Sequence, residues 1–513
     1  MSALPREATV AVFGAGAMGS GIAQVAAQAG HRVLLFDARI NAANDARRKL
    51  ADTFATLASR GKLEEDEARA AAARVQPVHA IGDVVSAKLV IEAIVEDLEA
   101  KRELFRELEV VVSPDAILAT NTSSLSITTL AAGMQHPRRI AGMHFFNPAP
   151  VLPLVEIVSG LGTDPAIAQT LYDTAAAWNK SPVHATSTPG FIVNRCARPF
   201  YGEALRLIAE RASDFATIDA IMRDAGGFRM GPFELMDLIG LDVNFAVTRS
   251  IWEAYFQDPR FTPSLYQQEL VAAGMLGRKS GRGFFDYAQN AVKPEPQIEK
   301  NRLAPARVTA FGDLGPASEL VDRLAGLGMT IERRDVQPPL PPNVIATGGA
   351  LLALTDGRTA TRRAVESGAR DLVVFDLALD YHSAKRIAIA RAESCGDAAY
   401  DSAVGALQAA GLQVSRVDDV AGLVVMRTVA MLANEAADAV QQGIATANDI
   451  DIAMKKGVNY PRGPLEWADV VGCARIRDVL ANLLAHYGDP RYRIAPFLTR
   501  QCARDGGKLA GSP

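Results

Sequence analysis

Thr9-Val10-Ala11-Val12-Phe13-Gly14-Ala15-Gly16-Ala17-Met18-Gly19-Ser20 is the stretch whose reading decides the fold. An apolar, β-leaning run enters glycines spaced G-x-G-x-x-G, and a small-residue segment from Ser20 to Ala29, closed by Gly30, leaves them: strand, glycine turn, helix. In such a unit Gly14 permits the tight turn, Gly16 lets the backbone approach a pyrophosphate, and Gly19 lets helix and strand pack closely. The helix N-terminus then aims its free N–H groups at phosphate oxygens. The same spacing occurs in merely structural turns, so context decides. Here His31-Arg32-Val33-Leu34-Leu35-Phe36 reads as a second strand ending in Asp37, about twenty residues on. A carboxylate there accepts adenosine ribose hydroxyls and repels a 2′-phosphate, so NAD is expected rather than NADP, with Gly14, Gly16, Ala17, Met18, Gly19 and Asp37 as its contacts. Arg39, two positions further, carries the opposite charge and keeps NADP open.

Working outward, Asn44 to Arg74 reads as a helical hairpin broken at Gly61, inserted where a minimal unit would return to its sheet. Its Arg47, Arg48, Lys49, Arg60 and Lys62 suit a phosphorylated ligand or a solvated helix face. Leu89-Val90-Ile91-Glu92-Ala93-Ile94-Val95 is the next buried strand. Residues at strand carboxyl ends face the cofactor crevice, which makes Glu96 and Lys101 candidate neighbours of the ribose or nicotinamide. Ile117-Leu118-Ala119-Thr120 repeats the pattern and ends in Asn121-Thr122-Ser123-Ser124, where a hydroxyl either meets a substrate oxygen or caps the following helix.

His144-Phe145-Phe146-Asn147-Pro148, followed by Val151-Leu152-Pro153-Leu154-Val155-Glu156, is the expected seat of the chemistry. Two apolar runs joined through proline-rich turns put imidazole and carboxylate opposite each other across a hairpin, a general base with its orienting partner. A hydrogen-bonded core histidine beside a solvated strand end is the competing reading. Beyond Lys180 the composition changes: Thr188-Pro189-Gly190-Phe191-Ile192-Val193-Asn194-Arg195 opens a helical region, and the Asn194 amide can hold a substrate oxygen. Gln289 to Ala304 reads as a linker.

The totals bound the rest. At 513 residues the chain is too long for one core, which suggests about three or four domains. A net charge of −4 gives no basic field for nucleic acid, and no apolar run reaches the length of a membrane span. Cysteines 196, 395, 473 and 502 lack metal-ligand spacing and suggest a reducing compartment with no disulfide framework and no metal. The first strand begins too early for a leader, so a cytoplasmic protein is expected.

The tail repeats the helical region at a fixed offset of 232 residues: Arg195 matches Arg427, Glu203 matches Glu435, Asp219 matches Asp451, Gly231-Pro232 matches Gly463-Pro464, and Asp237 matches Asp469. Met426 stands where the first copy has Asn194, which implies a structural role for the second. Between the copies, Val308 to Val417 alternates apolar runs with helical stretches, a second α/β segment. Its first turn, Gly312-Asp313-Leu314-Gly315-Pro316, lacks the phosphate-binding spacing, so no second cofactor is expected there.

With GAGAMG at 14–19, EAIVEDLEAK at 92–101, NTSSL at 121–125, HFFNP at 144–148, TPGFIVNR at 188–195 and GPFELMDLIGLD at 231–242, the chain resembles the 3-hydroxyacyl-CoA dehydrogenase family. The likeness is to the long bacterial type with a duplicated C-terminal domain, among 3-hydroxybutyryl-CoA and 3-hydroxyadipyl-CoA dehydrogenases. It covers residues 8 to about 287 directly and the tail through the repeat. The resemblance implies a Rossmann NAD-binding domain (1–187), a helical domain (188–290), a degenerate Rossmann-like domain without cofactor (291–420) and a duplicated helical domain (421–513). It implies oxidation of an (S)-3-hydroxyacyl-CoA, as in fatty-acid or phenylacetate catabolism, with His144 and Glu156 as the catalytic pair and Ser123 and Asn194 on the substrate oxygens. NAD contacts from Glu96, Lys101, Asn121 and Asn147, and CoA contacts from Ser59 and Lys62, come with it. Arg198, one turn beyond Asn194, is a candidate for a distal carboxylate or a helix-interface residue. By analogy the two helical copies are expected to form a pseudo-dimer within one chain, and a homodimer of the whole chain stays open. Two other readings stay open: a dehydrogenase of free 3-hydroxy or sugar acids, and an NADH-binding sensor or scaffold without turnover.

Overall fold

The computed structural model describes residues 3–336, 341–504 and 507–510; residues 337–340 of the second α/β segment and 505–506 and 511–513 of the expected tail domain lie outside them. The chain runs β1 (Thr9–Phe13), α1 (Ala17–Gln28), β2 (Val33–Phe36), α2 (Ala42–Ser59), α3 (Glu65–Arg74), β3 (Val75–Pro77), β4 (Ala87–Glu92), α4 (Leu98–Val111), β5 (Ile117–Thr120), α5 (Ile127–Ala131) and β6 (Ile140–Phe145). The first sheet is completed by β7 (Leu154–Ser159), α6 (Pro165–Ala177) and β8 (Ser181–Thr186). Six helices follow: α7 (Val193–Cys196), α8 (Arg198–Ala209), α9 (Phe215–Asp224), α10 (Pro232–Ile239), α11 (Leu241–Ala254) and α12 (Leu265–Ala272). The second sheet is built from β9 (Arg307–Phe311), α13 (Ser318–Gly326), β10 (Thr330–Arg334), β11 (Val344–Thr347), β12 (Ala350–Leu354), α14 (Ala360–Ser367), β13 (Leu372–Phe375), β14 (Arg386–Arg391), α15 (Asp397–Ala409) and β15 (Gln413–Arg416). The tail is α16 (Val425–Gln441), α17 (Ala447–Gly457), α18 (Pro464–Val471), α19 (Cys473–Tyr487) and α20 (Pro496–Cys502).

Two compact units form. One comprises Met1–Arg195 with Gln442–Val458, the other Cys196–Gln441 with Asn459–Pro513. The first holds an eight-stranded sheet of order β3-β2-β1-β4-β5-β6-β7-β8. Its strands are parallel except between β6 and β7, and β1 is buried along its whole length, as continuous apolar runs require when helices cover both faces. Strand order reverses between β1 and β4, so the carboxyl ends of these two strands open the crevice of a doubly wound sheet. The expected hairpin insertion is α2 and α3, with a groove of about 400 Å³ between them lined by Ala51, Ala55, Ala58, Ser59, Glu65, Ala68, Arg69 and Ala72.

The second unit holds the seven-stranded sheet β10-β9-β11-β12-β13-β14-β15 and most of the helices. The 232-residue offset extends upstream of the helices into this sheet: β14 and α15 fall on β7 and α6 residue for residue. Within the unit α8 of the first helical copy packs on α16 of the second. α16 is buried from Val425 to Ala439, a helix enclosed on all sides. At its start Arg427, with no exposed surface, donates from Nε to Glu203 (2.7 Å) and from Nη2 to Glu210 (2.8 Å), beside the stacked rings of Tyr487 and Tyr492.

One expectation is corrected. Cys473 and Cys502 form a disulfide with Cα atoms 5.5 Å apart, tying α19 to α20, while Cys196 and Cys395 are buried and not disulfide-bonded. The pairing arises where two helices meet after a separation of 29 residues, a proximity that spacing does not reveal, and cysteine count no longer argues for a compartment. Among the described residues no helix is long and apolar enough to cross a membrane, and no group of three His, Cys, Asp or Glu is placed to hold a metal ion.

Arg427→Ala is expected to lower the unfolding free energy by about 3 kcal/mol, because it takes the nearer cation from the buried Glu203 carboxylate and leaves only Arg206 at 3.8 Å. Urea unfolding checks this. The double change Arg427→Met with Glu203→Leu costs much less, since no charge remains buried.

Candidate active site

The carboxyl edge of the first sheet collects the polar side chains, beginning at the glycine turn. Gly14 takes φ +102°, and a Cβ there would stand 2.4 Å from the Ala93 carbonyl oxygen at the end of β4. A Cβ on Gly19 would stand 1.7 Å from the Gly14 oxygen, whereas one on Gly16 meets nothing within 4 Å. Gly14 and Gly19 are therefore required by packing, and Gly16 leaves its side of the turn open for a pyrophosphate, as a dinucleotide needs. Ala17 is exposed and Met18 half-buried beside it.

Asp37 fixes this turn. Its Oδ2 accepts from the Ala15 N–H at 2.7 Å, and Arg39 donates from its backbone (2.9 Å), Nε (3.0 Å) and Nη2 (3.0 Å) to the same carboxylate. The guanidinium and the backbone donors hold the Asp37 carboxyl down to about 2 against the effect of burial. It is therefore ionised at any working pH.

Glu96 organises the next two strand tips. It accepts from the Thr122 hydroxyl (2.5 Å), the Ser123 N–H (3.0 Å) and the Ser124 hydroxyl (3.0 Å), with Ser123 Oγ at 3.5 Å. Burial opposes its ionisation, but the Thr122 hydroxyl, the Lys101 ammonium and the Ser123 N–H outweigh burial and hold its carboxyl below the usual range. Lys101, expected beside the cofactor, is buried: Nζ lies 2.6 Å from Glu92 Oε1 and 3.3 Å from Glu96 Oε2. Glu92 also accepts from the Ile94 N–H and the Thr120 hydroxyl. Sequence reasoning passed over Glu92, although a carboxylate inside the run Leu89–Val95 demands such partners. Asn121 Oδ1 accepts the Phe145 N–H at 2.8 Å and so ties the end of β5 to that of β6, and Asn147 is exposed just beyond.

β6 and β7 run antiparallel with His144 directly opposite Glu156. His144 Nδ1–H donates to Glu156 Oε2 at 2.7 Å, both side chains being nearly fully buried. That bond fixes the tautomer and leaves Nε2 as an acceptor. Phe146 and Phe191 flank the ring, with centroids 4.5 and 5.9 Å away. The other oxygen of Glu156 accepts the N–H groups of Ile192 (3.1 Å) and Val193 (2.9 Å), immediately before Asn194 in α7. One carboxylate thus fixes both the imidazole and the start of the helix that carries the amide.

The other expected residues lie on other elements. Ser59 lines the groove between α2 and α3 and donates to the Thr56 carbonyl, and Lys62 is exposed after the helix end. Of the arm's basic residues, Arg48 is engaged by Asp45. Arg198 belongs to the second unit, where it is buried, donates to Thr248 Oγ1 (3.0 Å), stacks on Tyr201 and lines a cavity of about 270 Å³. Arg206, Arg260 and Arg491 line it too, and no carboxylate does.

The second sheet repeats the architecture without the chemistry. Asp376 takes the place of His144 and Ala388 that of Glu156. The Asp376 carboxylate accepts the N–H groups of Val424 (3.0 Å), Val425 (2.7 Å) and Met426 (2.9 Å) at the head of α16. Burial pushes it up to about 6 despite these donors. At the first turn the Arg475 guanidinium lies against Gly315.

Comparison with known proteins follows the same division. Family models match residues 9–188 as "3-hydroxyacyl-CoA dehydrogenase, NAD binding domain", residues 190–287 and again 422–509 as the C-terminal domain of that enzyme, and residues 352–420 as a "3-hydroxybutyryl-CoA dehydrogenase reduced Rossmann-fold domain". A 3-hydroxyadipyl-CoA dehydrogenase of Escherichia coli K12 is 43% identical over 97% of this chain and 98% of its own. A solved 3-hydroxybutyryl-CoA dehydrogenase of Escherichia coli K12 superposes with a TM-score of 0.87 at 42% identity, over 97% of this chain and 98% of that one. A shorter probable 3-hydroxybutyryl-CoA dehydrogenase of Bacillus subtilis is 39% identical over 55% of this chain and 97% of its own. With the glycine turn, the His144–Glu156 pair and both helical copies accounted for, the chain belongs to the 3-hydroxyacyl-CoA dehydrogenase family, NAD-dependent oxidoreductases, in a long form that carries the C-terminal domain twice.

Proposed function

We propose that the chain converts an (S)-3-hydroxyacyl-CoA to the 3-oxoacyl-CoA at the carboxyl edge of the first sheet, with His144 as base and Glu156 as its partner. The observation that carries this is the 2.7 Å bond that leaves Nε2 of a buried imidazole free to accept a proton. His144 Nε2 takes the proton of the C3 hydroxyl, and the nicotinamide, when bound, accepts the hydride leaving C3. Glu156 holds the tautomer and stabilises the imidazolium that forms, and its removal costs about a hundredfold or more in rate. Ser123 Oγ and the Asn194 amide donate to the oxygen as it becomes a carbonyl. Gly16 and Asp37 hold the dinucleotide, with Ala17 and Met18 beside it and Asn121 and Asn147 at the nicotinamide end. Glu96 positions Ser123, and Lys101 acts through Glu96 by charge rather than by touching the ligand. Ser59 and Lys62 on the arm receive the CoA moiety, whose adenine and pantetheine fit a groove walled by alanines. The second sheet, with Asp376 and Ala388 in place of the pair, serves as scaffold, and the helical copies act as an intrachain pseudo-dimer through Arg427 and Glu203.

Loss of NADH absorbance with acetoacetyl-CoA is the direct assay. His144→Gln is expected to keep NADH binding and to lose turnover by about a thousandfold, and a near-normal kcat would reject the assignment. The same assay with a free 3-oxo acid separates a CoA-ester enzyme from one acting on free acids.

Cofactor choice rests on Asp37. Asp37→Asn keeps an acceptor for Ala15 but releases Arg39, so kcat/KM with NADP should rise by about tenfold or more while that with NAD falls. The double change Asp37→Asn with Arg39→Ala should abolish the gain.

For the acyl tail, Arg198 is the candidate receptor of a distal carboxylate, supported by its burial and by a cavity lining rich in arginine. Arg198→Ala should then lower kcat/KM for 3-hydroxyadipyl-CoA well below that for 3-hydroxybutyryl-CoA. Equal losses would assign Arg198 to packing.

A further inference from the structure

Helix α17 belongs by sequence to the second helical copy, yet it folds into the unit that holds His144. There it lies on β7 and β8. The Thr186 N–H donates to the Ile444 carbonyl and the Thr186 hydroxyl to the Gly443 carbonyl, both at 2.8 Å, and Arg195 Nη1 donates to Gln442 Oε1 at 2.8 Å. At the last residue of α17, Gly457, a Cβ would stand 2.5 Å from Leu154 Cδ2 and 3.2 Å from Val193 Cγ2. Both neighbours bear on the catalytic pair. Leu154 precedes Glu156 by two residues on the same face of β7, and Val193 supplies one of the N–H donors that hold the Glu156 carboxylate.

The second unit contains the mirror of this contact. There α9 of the first helical copy packs on β14, and the Asp418 N–H donates to the Ala212 carbonyl at 2.8 Å as Thr186 does to Ile444. The residue at the Gly457 position is Ala225, 2% exposed, so a methyl is accommodated. The strand it faces carries Ala388 where β7 carries Glu156. A side chain is present where the strand carries Ala388 and absent where it carries Glu156.

We propose that α17 is a positioning element for the catalytic pair, with Gly457 as its point of contact: the missing side chain lets the helix close on Leu154 and Val193. Glu156 is thereby fixed between His144 and the N–H groups of Ile192 and Val193. The second copy has lost its own chemistry and completes that of the first. This rests on the assignment of His144 and Glu156 as the catalytic pair.

The test uses the full chain. Gly457→Val, whose branches press on Leu154 and Val193, is expected to lower kcat by about ten- to hundredfold, with KM for acetoacetyl-CoA and NADH within twofold of the unaltered chain. The pH profile of kcat should change with it, because the carboxylate that partners the imidazole is no longer aligned. Ala225→Val, the same kind of enlargement at the mirror position, should lower thermal stability and leave kcat and its pH profile unchanged. Should Gly457→Val not fold, Gly457→Ala carries the test: its methyl crowds Leu154 most closely, so kcat should fall and recover when Leu154→Val is added. A folded Gly457 variant with unaltered kcat and pH profile overturns the proposal, as does an equal fall in kcat from Ala225→Val. A His144→Gln chain that still turns over would overturn the catalytic pair itself, and the positioning role with it, a failure recognisable because α17 is intact in that variant.

Discussion

The Glu156 carboxylate is the constraint on which the catalytic unit depends. It is 1% exposed, and an ionised carboxylate taken so far out of water persists only if its lone pairs are filled. Three hydrogens meet them: one from imidazole Nδ1 and two from the backbone of residues 192 and 193. The strand pairing that sets His144 opposite Glu156 is one consequence, and the entry angle of α7 with Asn194 is another. Base, orienting acid and amide are therefore not three independent placements. They are three outcomes of satisfying one buried charge.

The second half of the chain separates what the fold requires from what the chemistry requires. Its helix α16 presents the same free N–H groups at residues 424–426, and a carboxylate again meets them, but it is Asp376, standing on the strand of the lost histidine. A helix N-terminus directed at a buried strand calls for an anion wherever it occurs. The imidazole is needed only where a proton is moved. The duty of Glu156 toward the N–H groups of residues 192 and 193 is thus separable from its bond to His144.

Much of this was legible in the sequence because it is written in short spacings. Gly14, Gly16 and Gly19 with Asp37 specify a phosphate turn and a ribose acceptor through local geometry alone, and the strands agree. The facing of His144 and Glu156 follows from two apolar runs and the turn residues between them, and the repeat follows from register. What stayed hidden depends on contacts between distant segments. The burial of Lys101 against Glu92, nine residues earlier inside an apolar strand, is one such contact. The Cys473–Cys502 bond and the crossing of α17 to the first sheet have no local signal, since each is decided by where a helix packs. The upstream extension of the repeat escaped notice for a related reason: β7 and β14 share length and apolar character but few identities, and a strand buried on both faces is specified by hydrophobicity rather than by particular side chains.

Why the two copies share a chain follows from the chemistry of their contact. The first copy offers α8 with Glu203 buried against Arg427 of the second, and alone it would expose the apolar face of that helix while Glu203 returned to water. Surfaces of that kind demand a partner. In two separate polypeptides the partner arrives at whatever concentration the cell maintains. Joined by a linker it is present at an effective concentration on the order of millimolar, independent of expression. Linkage also frees the copies to differ, because a substitution in one is no longer imposed on the other by symmetry. Met426 in place of Asn194, Asp376 in place of His144 and Ala388 in place of Glu156 are differences that two identical chains could not hold. Within one chain the two copies carry different residues at matched positions.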